Sequence, residues 1–132
     1  MENTFTTFKE LKYERPDVKQ LKKDIARLLG EFNSAKSFEE ADAVFLEFMH
    51  IVEGCFTQST IASIRNTMNM KDEFYDAEVK FFNKETAKLM LTLKKAIKSV
   101  LNTPFRHQFE EKYGSHMFKQ YEMQLKLVNM LV

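Results

Sequence analysis

The side chains best equipped for chemistry in this 132-residue chain are three histidines, His50, His107 and His116, and a single cysteine, Cys55. Two zinc ligands and a base on one helix face would require His-Glu-x-x-His, and no histidine here has a partner histidine three or four residues away. Glu47-Phe-Met-His50 matches the Glu-x-x-His element with which di-iron bundles project a carboxylate and an imidazole inward one turn apart. That centre needs the element twice, and neither His107 nor His116 follows a glutamate by three residues. His50 therefore reads as a hydrogen-bonded histidine in or beside a core. Cys55, on an apolar stripe, reads as a small buried hydrophobe. A glycine-rich phosphate loop is excluded with 3 glycines in the chain, and no serine, histidine and acid stand in a nucleophile motif. The eight methionines and thirteen phenylalanines are core material rather than a cofactor box. No catalytic, cofactor-binding or metal-binding residue is assigned.

The elements that would position any site are helices. Gly and Pro are scarce, and good helix formers dominate. Asp17 with Gln20 resembles a capping box opening a helix at Pro16 or Asp17. Val18, Leu21, Ile25, Leu28, Leu29 and Phe32 then make one apolar stripe. Ser37-Phe-Glu-Glu40 is a second capping box, with the Ser37 hydroxyl aimed at the Glu40 amide and the Glu40 carboxylate at the Ser37 amide. The helix behind it carries a wide aromatic stripe through Phe45, Phe48, Phe56 and Ile61, which predicts a central position. The pattern breaks over residues 66–71, and Asp72 restarts it as the N-cap of a third helix running toward Leu101. Pro104 opens a short fourth helix held by Phe105, Phe109 and Tyr113 and ended by Gly114. Ser115 caps a fifth with Met117, Phe118, Tyr121, Leu125 and Val128 inside. The expected fold is all-α: about five helices in an antiparallel bundle over residues 17–132. An extended lead-in over residues 1–16 would lay Phe5, Phe8, Leu11 and Tyr13 on the bundle surface.

Charge and composition exclude several function classes. With 20 basic against 19 acidic residues the chain lacks the basic excess of a nucleic-acid binder. No apolar run approaches the ~18 residues that span a bilayer. One cysteine and a start without a basic-apolar leader place the expected compartment in the cytoplasm. The last residues, Leu127 to Val132, stay inside an apolar helical pattern without a polar tail. This creates the expectation of a front part of something larger, truncated at its C-terminus.

Four segments occur in a familiar order: residues 8–17 (Phe-Lys-Glu-Leu-Lys-Tyr-Glu-Arg-Pro-Asp), 62–67 (Ala-Ser-Ile-Arg-Asn-Thr), 72–78 (Asp-Glu-Phe-Tyr-Asp-Ala-Glu) with Phe81 and Phe82, and 101–106 (Leu-Asn-Thr-Pro-Phe-Arg). Together they resemble the N-terminal helical region of M3-family zinc metallopeptidases of the oligoendopeptidase F branch. The resemblance implies a helical protein with a deep channel that admits short peptides, front helices that wall the channel, and a later region holding zinc on a His-Glu-x-x-His helix. Zinc is implied for the complete enzyme only. This chain carries no such helix, so no activity is expected from it alone. Arg65, Asn66, Asp72 and Tyr75 become candidate channel-wall or structural positions. The expected partners are short peptides through the complete enzyme, and a missing catalytic region or a second copy meeting the apolar C-terminus. The alternative is a stand-alone helical interaction or oligomerisation protein.

Overall fold

The computed structural model describes residues 10–131, which form five helices: α1 (Val18–Ser34), α2 (Phe38–Met68), α3 (Glu73–Leu101), α4 (Arg106–Tyr113) and α5 (Ser115–Leu131). Short connections join the helices; α1 packs on α2, α2 on α3 and α4 on α5, while α3 passes over α4 to pack on α5, giving an all-α antiparallel bundle. Residues 11–17 carry no helix and form the described part of the lead-in. Phe5, Phe8 and Val132 lie outside the described residues.

Local chemistry sets most boundaries. The Asp17 carboxylate accepts from the Gln20 amide at 3.1 Å, one of the amides that a helix start leaves without a partner. Gly30 does not end α1, which continues to Ser34, where the Ser34 hydroxyl bonds back to the Gly30 carbonyl at 2.9 Å. At α2 the Ser37 hydroxyl accepts from the Glu40 amide at 3.2 Å as expected. The returning Glu40 carboxylate reaches one residue further back, to the Lys36 amide at 3.0 Å, instead of the Ser37 amide. Asp72 caps α3 through the Phe74 amide at 2.9 Å.

Pro104 does not open α4. Phe105 is the N-cap, and Thr103 organises the turn by accepting from the Phe105 amide with its hydroxyl and from the Arg106 amide with its carbonyl, each at 3.3 Å. Gly114 stops α4 with φ of 91°, a conformation that a Cβ would strain, and α5 begins immediately at Ser115.

Every helix contributes to the main core cluster: Phe32 from α1, Ala41 and Phe45 from α2, Val100 from α3, Phe109 from α4 and Phe118 from α5. Phe109 and Phe118 have no solvent exposure. The Phe109 ring meets Phe38, Phe45 and Phe32 with centroids 4.9, 5.4 and 5.9 Å away, the first two edge to face. The short α4 is thus the wedge of the bundle. Buried Asp42 on α2 ties it down by accepting from both Lys112 and the Tyr113 hydroxyl. The central position expected of α2 is shared, because α3 packs against α1, α2 and α5 while α2 packs against α1, α3 and α4. The aromatic width of α2 is not fully buried either, since Phe56 is 64% exposed.

Candidate functional site

The α2–α3 turn brings the end of α2, the start of α3 and the lead-in to one place. Arg65 lies in the last turn of α2 and Tyr75 near the start of α3. The Arg65 Nη1 donates to the Tyr75 hydroxyl at 2.8 Å, and its guanidinium carbon stands 5.5 Å from the Tyr75 ring centroid. Arg65 also donates to the Leu11 carbonyl, so one guanidinium clamps the lead-in to the ends of α2 and α3. Arg65, Asp72 and Tyr75 border an open hollow of about 550 Å³ that is completed by Leu11, Tyr13 and Asn69. Asn66 is half-buried, does not line the hollow, and makes no side-chain hydrogen bond among the described residues.

Beside the hollow lies an arrangement that spacing did not announce. Glu78 on α3 is a buried carboxylate, 3% exposed. It accepts from the Tyr13 hydroxyl at 2.8 Å and from Arg15 Nε at 3.0 Å, with a second Arg15 nitrogen on its other oxygen. This fork is the bidentate geometry in which guanidinium holds carboxylate best. The Arg15 guanidinium holds the Glu78 carboxyl below its usual range. Burial, then the bond to Glu78, pushes the Tyr13 phenol well above its ordinary value.

The Tyr13 ring packs on Phe74, Tyr75 and Phe82, and Arg15 stacks on Phe81 with 4.1 Å between guanidinium carbon and ring centroid. The Glu14 amide donates to Gln58 of α2 at 2.8 Å. The lead-in is therefore laced to both long helices. The expectation that Tyr13 lies on the bundle surface pointed to the lead-in, but its contact and that of Arg15 with Glu78, across more than sixty residues, had no periodic signal.

The nucleophile and metal candidates stay apart. His50 is exposed and has no hydrogen-bond partner among the described residues, which corrects its reading as a bonded core histidine. Its neighbour in the Glu-x-x-His element, Glu47, is instead paired with Arg27 at 3.0 Å. His107 meets Glu111 at 3.0 Å on an exposed helix face, and His116 meets Gln120 at 3.1 Å. Cys55 is half-buried on an apolar cavity of about 70 Å³ with Leu21, Val52, Phe82 and Leu89, and burial pushes its thiol up, away from the reactive thiolate. Among the described residues no three His, Cys, Asp or Glu side chains are grouped so as to hold a metal ion. The donors among the described residues do not fit the zinc implied for a complete enzyme. No described helix is long and apolar enough to cross a membrane.

What the arrangement offers is a set of hydrogen-bond donors and aromatic faces around an open hollow. The family model of the Peptidase M3 N-terminal domain matches residues 8–128. No curated protein matches the chain. Among solved structures, PZ peptidase A with an inhibitor is 31% identical with a TM-score of 0.87, covering 91% of this chain and 21% of that one. A protein assigned as oligoendopeptidase F is 28% identical with a TM-score of 0.88, covering 92% and 22%. One so assigned from Bacillus anthracis strain Ames is also 28% identical with a TM-score of 0.88, covering 94% and 23%. The chain spans between a fifth and a quarter of the length of these solved relatives. With the family match extending over nearly all of the chain and the lacing of its lead-in falling inside that match, this protein belongs to the M3 peptidase N-terminal domain family.

Proposed function

We propose that this chain is the N-terminal wall element of an oligoendopeptidase F-like zinc peptidase that hydrolyses short peptides, and that it works in the cytoplasm. The observation that carries the reading is the match over residues 8–128, joined to solved peptidases whose length the chain covers by 21 to 23%. In this reading the zinc ligands and the base come from another part of the enzyme. In this reading Arg65, Asn66, Asp72 and Tyr75 face the channel or brace the catalytic part. A lead-in laced by Glu78 and Arg65 suits a wall that must keep its shape when peptides enter.

Two assays test this. The purified chain, offered fluorogenic short peptides with and without zinc, is expected to show no turnover; zinc-dependent hydrolysis would overturn the division of labour. A chimera carrying this chain in place of the corresponding N-terminal segment of an active M3 oligoendopeptidase is expected to keep zinc-dependent hydrolysis. A folded, zinc-loaded but inactive chimera would overturn the wall assignment.

One observation favours a second reading, a helical module that self-associates. Met123, Leu127 and Met130 stand 59, 52 and 81% exposed along one side of α5. Light scattering separates the two: a defined dimer that Leu127→Glu converts to monomer supports self-association, and a monomer at all concentrations removes it.

A further inference from the structure

The outer face of α3 carries an unbroken row of exposed residues, Lys80, Lys84, Lys88, Leu91, Lys95 and Lys98, spaced by three or four. At about 100° per residue the row occupies an arc of roughly 80° and runs about 27 Å along the helix. It lies away from the face that buries Phe82, Leu89, Ala96 and Val100. Lys80 pairs with Asp76 at 3.0 Å and Lys88 with Glu85 at 3.6 Å. Lys84, Lys95 and Lys98 have no ion-pair partner among the described residues. Among the described residues the ion pairs to the row come from Asp76, near its N-terminal end, and from Glu85, at its flank.

Like charges one turn apart work against a helix, and a face that serves solubility alone interleaves both signs. Here the chain as a whole is almost neutral, with a net charge of +1, yet it gathers five lysines on one line. The first three lysines match one ligand shape: Lys80, Lys84 and Lys88 rise about 6 Å per step, close to the ~6.6 Å repeat of same-face side chains in an extended peptide, while Lys88 to Lys95 rises about 10.5 Å and Lys95 to Lys98 about 4.5 Å. A peptide of about eight residues spans the row.

We propose that the α3 lysine row binds extended acidic peptides, with carboxylates at alternate positions against Lys80, Lys84 and Lys88 and Leu91 giving one apolar contact midway. This rests on the peptidase reading and adds to it a docking face for acidic peptides on the side of α3 opposite Tyr75. A membrane surface fits less well, because a convex row with one exposed apolar side chain offers little to insert. Nucleic acid fits less well too, because the row has no aromatic platform for bases and the chain no overall basic field.

The test is fluorescence anisotropy with the purified chain at low salt. The probe is a labelled peptide of about eight residues with Glu at every second position. Its Gln counterpart, phosphatidylserine vesicles and oligoadenylate RNA serve as competitors. The acidic peptide is expected to bind and to weaken by about tenfold or more as salt rises toward ~0.2 M. The combined variant Lys84→Gln, Lys95→Gln, Lys98→Gln should weaken it comparably, while the α1 control Lys19→Gln, Lys22→Gln, Lys23→Gln should not. These lysines are exposed apart from half-buried Lys22, and circular dichroism checks that helix content is kept. Absence of binding, equal loss in both variants, or stronger competition by vesicles or RNA would overturn the proposal. An active chimera with no acidic-peptide binding would remove this proposal and leave the peptidase reading standing; an inactive chimera removes that reading independently of peptide charge.

Discussion

Arg65 and Tyr75, ten residues apart in sequence and on different helices, meet at 2.8 Å through Nη1 and the phenol oxygen. The bond closes the α2–α3 turn from the inside, while Asp72 caps α3 through the Phe74 amide. Because the same guanidinium also holds the Leu11 carbonyl, the turn and the lead-in are one mechanical unit.

Tyr75→Phe deletes one hydrogen bond and keeps the ring, so it is expected to cost about 0.5–1.5 kcal/mol. Arg65→Ala should cost more, because it also frees the lead-in. A double-mutant cycle by urea denaturation should return a coupling of roughly 1 kcal/mol. In a complete enzyme both changes are expected to lower peptide hydrolysis. If hydrolysis and stability were both unchanged, these positions would neither face substrate nor brace the fold.

Glu78→Ala leaves the Tyr13 hydroxyl and Arg15 without their shared acceptor. Arg15 is half exposed and regains water, so the expected loss is about 1–3 kcal/mol, below that of a fully buried pair. The folded carboxyl is held below its usual range, so the folded state binds fewer protons than the unfolded one as pH drops. Its contribution is present above the ordinary carboxylate value and disappears as pH falls through the folded value. The stability gap between the parent and Glu78→Gln should therefore narrow on going from about pH 7 to pH 3. A gap that widened would contradict the sign.

Tyr13, Tyr113 and Tyr121 all ionise above the ordinary phenol value of 10.0, in each case chiefly because burial disfavours the charged form. A group raised in the folded state stabilises the fold below its unfolded value and loses that effect as pH rises through the folded one. Absorbance of tyrosinate near about 295 nm should therefore lag in the native protein and rise at lower pH in urea, where all phenols return to ordinary values. Coincident native and denatured curves would show these rings to be solvated.

Phe109→Ala removes the α4 ring on which α1 and α2 converge, with no solvent exposure to soften the loss. The expected cost is about 3–5 kcal/mol. Phe56→Ala, at a ring 64% exposed, should cost less than about 1 kcal/mol by the same urea assay. Equal costs would mean that α4 is not the wedge of the bundle.

How much of this was legible in the sequence follows the range of the interactions involved. The Asp17, Ser37 and Asp72 caps and the Gly114 stop act within a few residues, so types and spacing alone determined them. The all-α class followed from scarce Gly and Pro and a helical apolar period, and the family from four short segments in order. Where local signals compete, the reading slipped. Pro104 was compatible with a first turn, but buried Thr103 organises the connection.

His50 looked like a core residue because its sequence neighbours are apolar. The rotation of α2 that would decide it is set by what α1 and α3 cover, and they leave His50 in water. The Glu78 fork, the Asp42 tie and the meeting of Arg65 with Leu11 join residues more than fifty positions apart. Such contacts have no period and no local cost, so only the packed bundle could decide them. The sequence by itself determined which helices form and which family they belong to. Tertiary packing decided that the lead-in is laced down, that the metal-type side chains stay apart, and that five lysines of α3 face outward together.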